Sequence, residues 1–358
     1  MFKALSTISL STISLSTISL ALLMTGCAST SDAPAGKFDL THWKITIPLD
    51  RDNNGKADDI DTKALQNYQH SDFFYIDTNG DMVFTSPNKA VTTQASSNTR
   101  SELRQMIRGL DTSIGTKSYS NNFAIAAHSD AAYFDQIGGR LDASLKVNHV
   151  AKNAKHPKKP AYSVVVGQIH AGKDKEVIAE GNGFGWGNEP IKIYYKKWPN
   201  HDTGSVFWTY ERNLEKDNPD RTDIAYPIWG NTWENPDDPK SSGIALGEEF
   251  SYTINVIGSV MHLTFTQKDK KTVVYNIDLS NNVDAYGKVD EKDNSAGYAG
   301  DWLYFKAGAY NQCSTLDADG IWYAGCSGTG DWPTDKANGD YTSVSFSKLK
   351  LSHESEKK

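Results

Sequence analysis

Short segments rich in β-branched and aromatic residues recur along this chain, and they constrain its fold more than any other feature. MVFT (82–85), SVVV (163–166) and SVFWTY (205–210) are examples, and Gly, Asn, Asp and Pro flank them. This combination is typical of strands joined by tight turns. Helical periodicity is confined to one or two turns over 62–68, with Thr62 as the expected N-cap. The last strand shifts its apolar phase between Phe346 and Leu349, which predicts a β-bulge.

Many strands without intervening helices exclude a parallel βαβ sheet and leave a sandwich, a barrel or a β-helix. A β-helix would show a regular repeat, and the sequence beyond residue 26 has none. We therefore expect an all-β protein in which 37–353 form a single domain.

The first 26 residues have the composition of an export signal. Lys3 precedes three copies of Ser-Thr-Ile-Ser-Leu, and small residues close the run. Thr-Gly-Cys at 25–27 resembles a bacterial lipobox, so we expect acylation of Cys27 and a chain lipid-anchored to the outer membrane or otherwise secreted. The alternative is cleavage by an ordinary signal peptidase, with Cys27 either removed or left without a lipid. Residues 27–36 are expected to form a flexible linker and 354–358 a tail.

Two cysteines remain beyond Cys27, and an exported protein with an even pair is expected to join them. A disulfide between Cys313 and Cys326 would close a short loop. Without the signal, 36 Lys and Arg face 44 Asp and Glu, a net charge of −8. This acidity argues against a nucleic-acid protein, which needs a broad basic surface. A polyanion would therefore have to bind in a local basic cleft. We also expect the protein to be a monomer.

The segment RSELRQMIR (100–108) alternates charged and apolar residues. As a strand it places Arg100, Glu102 and Arg104 on one face and apolar residues on the other. Glu102 can fix the planes of both guanidinium groups, and a fixed guanidinium binds a carboxylate through two parallel hydrogen bonds. A solvated ladder of surface ion pairs explains the pattern equally well.

Two later segments also carry polar groups on one face of a predicted strand. VVVGQIH (164–170) ends in Gln168 and His170, an amide beside a group that titrates near neutrality. A structural histidine at a strand end is the simpler interpretation of that segment alone. YFKAGAYNQ (304–312) places four such residues on one face: Tyr304, Lys306, Tyr310 and Gln312. A solvated outer strand does not explain tyrosines interleaved with polar groups, so this face is predicted to bind a ligand.

Together these three blocks resemble the signature blocks of polysaccharide lyase family 7, the alginate lyases. RSELR (100–104), QIH (168–170) and YFKAGAYNQ (304–312) occur in the family's order and at similar separations. The resemblance extends from FDLTHWKITIP (38–48) to the last strand. It implies a jelly-roll β-sandwich with a concave substrate groove, alginate as the polysaccharide substrate and no required cofactor. It also implies catalytic roles for four residues: Arg100, Gln168, His170 and Tyr310.

The resemblance further implies a β-elimination, which removes the C5 proton of a uronate and expels the oxygen on C4. Arg100 and Gln168 would neutralise the carboxylate and hold the developing enediolate, as an oxyanion hole does. Tyr310 would protonate the leaving oxygen, and either His170 or Tyr310 would be the base. The products would carry an unsaturated 4-deoxy uronate at the non-reducing end. Ile169 matches family members that accept guluronate-containing linkages.

Further residues are predicted to bind the substrate. Arg104 and Lys306 match substrate-contacting positions of the family, and Glu102, Tyr304 and Gln312 share their strand faces. KIYYKKW (192–198) alternates cations and aromatic rings, and it is expected to form outer subsites. The residues concerned are Lys192, Tyr194 and Lys196. A mixed surface strand is an equally good interpretation.

The acidic segment DRDNNGKADDID (50–61) matches a calcium-binding loop in part. Oxygen ligands occupy positions 1, 3, 5, 9 and 12, and glycine occupies position 6. The candidate ligands are Asp50, Asp52, Asn54, Asp58 and Asp61. The sequence shows no convincing helices on the two sides of this segment. An acidic surface turn is therefore the simpler interpretation. A calcium ion here would be structural.

Two other classes of protein compete with the lyase. A non-catalytic carbohydrate-binding β-sandwich would need the groove but neither His170 nor Tyr310. A glycoside hydrolase requires two carboxyl groups across the groove. Glu102 is the only acid in the three blocks, and flanking arginines would keep it ionised.

Overall fold

The computed structural model describes residues 1, 32–154, 160–316 and 324–353, and these form two β-sheets. In chain order the strands are β1 (Trp43–Ile47), β2 (Asp58–Ile60), β3 (Phe74–Ile76), β4 (Met82–Pro87), β5 (Asn98–Gln105), β6 (Gly139–His149), β7 (Ser163–Ala171), β8 (Ile191–Lys196), β9 (Thr203–Glu211), β10 (Asp223–Trp229), β11 (Ile244–Ala245), β12 (Glu249–Ile257), β13 (Val260–Thr266), β14 (Val273–Asp278), β15 (Leu303–Ser314), β16 (Ala324–Gly325) and β17 (Tyr341–Ser352). The α-helices are short: α1 (Thr62–Leu65), α2 (Lys175–Ala179) and α3 (Trp332–Asn338). Single 3-10 turns occupy Pro34–Gly36, Tyr119–Asn121, Ala131–Tyr133 and Lys240–Ser242.

The larger sheet has the strand order β10-β9-β8-β7-β15-β5-β1-β2, with β11 on β9 and β16 on β15. The smaller sheet has the order β14-β13-β12-β6-β17-β4-β3. Paired strands are antiparallel throughout the described sheets except β15 and β16, which are parallel. β15, from near the end of the chain, therefore lies between β7 and β5.

The hydrophobic core lies between the two sheets. Trp43, Ile169 and Phe305 of the larger sheet meet Leu145 and Phe346 of the smaller sheet there. Period-two alternation leaves the opposite face of the larger sheet to polar side chains. We call that surface of β5, β7, β8 and β15 the groove face. The predicted jelly-roll β-sandwich is confirmed.

An irregularity in β7 decides which of its residues reach the groove face. The pairing of β7 with β8 shifts register between Val165 and Gly167. Val166 packs in the core, and a Cβ atom on Gly167 would lie 2.3 Å from the Tyr252 hydroxyl oxygen of the smaller sheet. Two consecutive residues thus face the core, as at a β-bulge. Beyond it, Gln168 lies on the groove face.

Two local expectations from the sequence have different outcomes. The bulge predicted in β17 is confirmed, because its pairing with β6 shifts register between Phe346 and Lys348. The expectation that Thr62 caps α1 is wrong. Asp61 is the N-cap, and its side chain accepts a hydrogen bond of 2.9 Å from the backbone N–H of Ala64. A carboxylate at this position also interacts favourably with the positive end of the helix.

Part of the expected flexible linker lies on the sandwich. Within 32–36, Pro34–Gly36 form a 3-10 turn, Ala33 and Pro34 are buried, and Ala35 packs against the core. The ordered chain therefore begins before Lys37. Beyond Met1, the predicted export signal lies outside the described residues, as do Cys27 and the predicted tail at 354–358. Within the described ranges, no helix has the length and apolar character needed to cross a bilayer.

The predicted disulfide between Cys313 and Cys326 is confirmed, with a Cα–Cα distance of 5.4 Å. Cys313 lies on β15, and Cys326 follows β16, which pairs with the end of that strand. The bond therefore joins the end of a central strand to the segment that returns beside it.

We expect replacement of both Cys313 and Cys326 by alanine to lower the free energy of unfolding by about 3 kcal/mol, because a loop of this size is no longer closed in the unfolded chain. Chemical denaturation of the purified protein measures this difference. Cys27→Ala, which leaves the pair intact, is the control. Equal stability of the double variant and the control would contradict the prediction.

Candidate active site

The three sequence blocks meet on three adjacent strands, because β15 lies between β7 and β5. Lys306 of β15 pairs with Arg104 of β5 on one side and with Gln168 of β7 on the other. Tyr310 pairs with Arg100. At Lys306 the register thus brings together groups from all three blocks. In the same way, Tyr304 pairs with His170.

Glu102 lies at the centre of this arrangement, with only 2% of its surface exposed. Its carboxylate accepts hydrogen bonds from Arg100 Nη1 at 3.1 Å, Lys306 Nζ at 2.5 Å and Gln168 Nε2 at 2.5 Å. Burial favours the protonated acid, but Lys306 and Arg100 hold the pKa of Glu102 below its usual range. The substrate-binding role predicted for Glu102 stays a prediction. Its oxygens are occupied, and it orients three neighbours.

Arg100 and Tyr310 form the next layer of the site. The Arg100 guanidinium carbon lies 4.0 Å from the centre of the Tyr310 ring. The phenol oxygen of Tyr310, which is half-buried, lies 3.2 Å from Ser96 Oγ. Among the described residues, Arg100 Nε and Gln168 Oε1 have no hydrogen-bond partner. A guanidinium, an amide and a phenol thus lie together on the groove face, with the two unpaired atoms buried below its surface.

His170 is engaged through both ring nitrogens. Nδ1 lies 2.5 Å from the carbonyl oxygen of Ala171, and Nε2 lies 3.2 Å from Glu189 Oε1. The ring stacks on Tyr304, with 5.3 Å between centroids. Burial lowers the pKa of His170, and the Glu189 carboxylate opposes this effect.

Arg104 and Lys306 are cations at the floor of the groove face. Arg104 donates to Asn122 Oδ1 at 2.5 Å and to the Gln105 carbonyl oxygen at 2.6 Å, and it lies 4.0 Å from the Tyr304 ring centre. Burial lowers the pKa of Arg104 to about 10. Burial, together with the nearby Arg100, lowers the pKa of Lys306 to about 8. Protein groups therefore already hold much of the donor capacity of Arg104.

The outer subsites expected on β8 stay a prediction, and the structure shows what surrounds their side chains. Lys192 is surrounded by carboxylates, with Nζ 3.0 Å from Asp223 Oδ1, 3.3 Å from Glu189 Oε2 and 3.8 Å from Glu211 Oε2. A cation with three such neighbours already has its counter-charges within the protein.

Three other predicted substrate contacts are also turned toward protein groups. Tyr194 is buried and stacks on Phe207, with 5.1 Å between centroids. Lys196 donates to the Ala161 carbonyl oxygen at 2.5 Å, and burial lowers its pKa to about 7. Gln312 is buried, and its Nε2 lies 3.3 Å from the Tyr310 carbonyl oxygen. Each of these side chains already has a partner within the protein, and its contact with substrate stays a prediction.

The calcium-loop pattern is met only in part. One ligand atom each of Asp50, Asp52 and Asp58 lie within 4.8 Å of one another. Asp58 also pairs with Arg51 Nε at 2.6 Å, which neutralises one of the three charges without a metal. Asp61, the expected last ligand, instead caps α1. The cluster thus contains three of the four predicted carboxylate ligands.

Sequence reasoning missed Ser96, Asn122 and Glu189. All three lie outside the strands, in segments where period-two alternation does not predict the direction of a side chain. Only proximity in the fold shows that they contact Tyr310, Arg104 and His170.

Comparison with known proteins agrees with this geometry. The model of a family described as alginate lyase matches residues 38–353. An alginate lyase of Klebsiella pneumoniae is 34% identical over 331 residues, which are 90% of this chain and 91% of that protein. A crystal structure of the K. pneumoniae alginate lyase superimposes with a TM-score of 0.70 at 32% identity, covering 91% of this chain and all of that one.

A second solved structure is similar to the same extent. It is the exolytic alginate lyase of polysaccharide lyase family 7 from Zobellia galactanivorans, with a TM-score of 0.69 and 34% identity. The match covers 89% of this chain and 97% of the Zobellia chain. With the family model spanning the sandwich and relatives above 30% identity over most of its length, this chain belongs to the alginate lyases of polysaccharide lyase family 7.

Proposed function

We propose that this alginate lyase cleaves 1,4-linked uronate chains on the groove face of β5, β7 and β15. The product would carry an unsaturated 4-deoxy uronate at its new non-reducing end. The observation that carries the proposal is the buried Glu102 carboxylate, which holds Arg100, Lys306 and Gln168 beside the Tyr310 phenol. A set of fixed donors next to a phenol suits an elimination beside a carboxylate.

Arg100 and Gln168 are assigned to the substrate carboxylate. The C5 proton is very weakly acidic while that carboxylate is charged, so neutralisation of the charge lowers the barrier to its removal. Glu102 takes one of the two N–H donors of the Gln168 amide, which leaves the other available. Arg100 Nε also has no partner among the described residues. Each group therefore has a donor that the hydrogen bonds of the described residues leave unused.

Tyr310 is assigned to the leaving oxygen on C4, and His170 to the opposite side of the sugar ring. In guluronate the C5 proton and the leaving oxygen are anti, so a separate base and acid fit this substrate. Ile169, the residue that suggested guluronate linkages, is fully buried in the core. Any influence of Ile169 on specificity must therefore act through the positions of Gln168 and His170.

Incubation with purified guluronate, mannuronate and mixed blocks tests the proposal. Ultraviolet absorbance should rise with guluronate-containing blocks, because elimination creates a double bond conjugated to the carboxylate. No rise with guluronate blocks, together with a rise on mannuronate blocks, would refute the guluronate assignment. The sizes of the early products can be compared with those expected of an exolytic enzyme, the mode described for the Zobellia relative.

We also propose that the chain is exported and attached to a membrane only through a lipid on Cys27. The disulfide between Cys313 and Cys326 supports an oxidising compartment. Metabolic labelling with a fatty acid should mark the full-length protein but not the Cys27→Ala variant. Equal labelling of both proteins would contradict acylation at this residue.

A further inference from the structure

Glu189, which precedes β8, lies against the imidazole of His170. Nδ1 of His170 is 2.5 Å from the carbonyl oxygen of Ala171, and Nε2 is 3.2 Å from Glu189 Oε1. Both partners accept hydrogen bonds, so each contact favours a proton on the nitrogen that it faces. The imidazole ring is therefore held between two acceptors, one of which is charged.

We propose that Glu189 is a positioning residue that fixes the orientation of the His170 ring and stabilises a proton on it. The proposal rests on the proposed function, in which His170 takes part in elimination. A nearby carboxylate stabilises the imidazolium that forms when His170 accepts the C5 proton. Without that carboxylate, His170 would be a weaker base.

The backbone and two side chains hold Glu189 in place. The N–H of Ala171, the residue after His170, donates to the Asn188 carbonyl oxygen at 2.8 Å. The N–H of Glu189 itself donates to Glu211 Oε2 at 3.0 Å, and Lys192 Nζ lies 3.3 Å from Glu189 Oε2. The segment is thus tied to the end of β7 and to β8 and β9. This fixed placement distinguishes Glu189 from a mobile surface carboxylate.

The surrounding charges decide which carboxylate is ionised. Burial favours protonated Glu189, but Lys192 and His170 outweigh burial and hold its pKa well below the usual range. Burial raises the pKa of Glu211 well above its usual range, and Glu189 adds to this effect. Arg221 pairs with Glu211 at 2.8 Å, and Asp223 pairs with Lys192 at 3.0 Å. Glu189 is therefore the anion that faces the imidazole.

On its other sides, His170 faces groups that disfavour a second proton. Burial lowers its pKa, and Lys306 of β15 and Arg100 of β5 act in the same direction. Tyr304 only stacks on the ring. The Glu189 charge and the Ala171 carbonyl oxygen oppose these effects. Loss of the Glu189 charge should therefore make neutral His170 more stable, which means that the pKa of His170 falls.

Glu189→Gln tests the proposal, because it keeps the shape and hydrogen-bonding capacity of the side chain but removes its charge. Nitrogen NMR follows the titration of His170 in the wild-type protein, with the resonances identified by their loss in His170→Asn. In Glu189→Gln, the His170 titration should move to lower pH by about one unit or more. The part of the pH profile of kcat/KM that depends on the titration of His170 should move to lower pH by the same amount.

Asp142→Asn is the matched control, since Asp142 is a salt-bridged carboxylate of similar exposure on the smaller sheet. It should leave both the titration and the profile unchanged. An unshifted titration in Glu189→Gln would overturn the proposal. If Glu189→Gln does not fold, Glu189→Ala takes its place, with the same expected shift. The NMR readout needs no turnover, so a failure to form unsaturated product would refute the proposed function separately.

Discussion

Tyr310→Phe is expected to lower kcat on alginate by about 10²- to 10⁴-fold, the usual contribution of a general acid or base. The substitution removes the phenol oxygen that lies beside Ser96 Oγ. It keeps the ring, which packs against the Arg100 guanidinium at 4.0 Å. Oligosaccharide affinity, measured by calorimetry, should therefore change little, while turnover measured by ultraviolet absorbance should almost vanish.

Tyr195→Phe provides the matched control for this experiment. Tyr195 is buried on the core side of β8, and its hydroxyl donates to the Ile244 carbonyl oxygen at 2.9 Å. Loss of that hydroxyl should cost stability but not turnover. If Tyr310→Phe retained more than about a tenth of the wild-type kcat, a loss below about 1.4 kcal/mol, Tyr310 would not be the proton donor.

Arg100→Lys should lower kcat/KM by about 10²- to 10³-fold, comparable to the loss of an oxyanion-hole donor. Lysine keeps the positive charge but has neither the planar fork nor the Nε donor that faces no protein partner in the described structure. The loss should appear chiefly in kcat, because the contact is expected to tighten as the enediolate forms. Steady-state kinetics on alginate blocks separate kcat from KM.

Two further lysine variants calibrate this result. Arg140→Lys alters a bidentate pair with Asp142 on the smaller sheet, at 2.7 and 2.8 Å, and should leave kcat/KM unchanged. Arg104→Lys should act more on KM, because Arg104 is assigned to binding and to holding the groove. If Arg100→Lys and Arg104→Lys lowered only thermal stability, the cations of β5 would be structural ion pairs. The active site would then have to lie elsewhere.

The period-two alternation of single strands predicted which residues lie together in the central site, because β5 and β15 pair with each other there without a bulge. Their pairing runs without interruption from Lys306 opposite Arg104 to Tyr310 opposite Arg100. A period of two therefore places these four residues on one face from the sequence alone. The family resemblance then supplied their chemical roles.

The same reasoning could not distinguish a free cation from a neutralised one. Lys192 has the alternating pattern of a binding strand, yet the carboxylates around it come from other parts of the sheet. Glu211 belongs to β9 and Asp223 to β10. Glu189 belongs to no strand, so its position beside His170 depends on the turn into β8. Such contacts depend on strand order, which local patterns do not contain.

The bulge in β7 decides which way its catalytic residues face. With strict alternation from Val165, Gly167 and Ile169 would face the substrate, and Gln168 and His170 would enter the core. The strand avoids this because two consecutive residues, Val166 and Gly167, face the core. Deletion of Val166 would therefore remove the bulge but leave Gln168 and His170 on the groove face, since a single core residue would then separate Val165 from Gln168. A substitution that let β7 pair without the bulge at its present length would instead bury both catalytic residues.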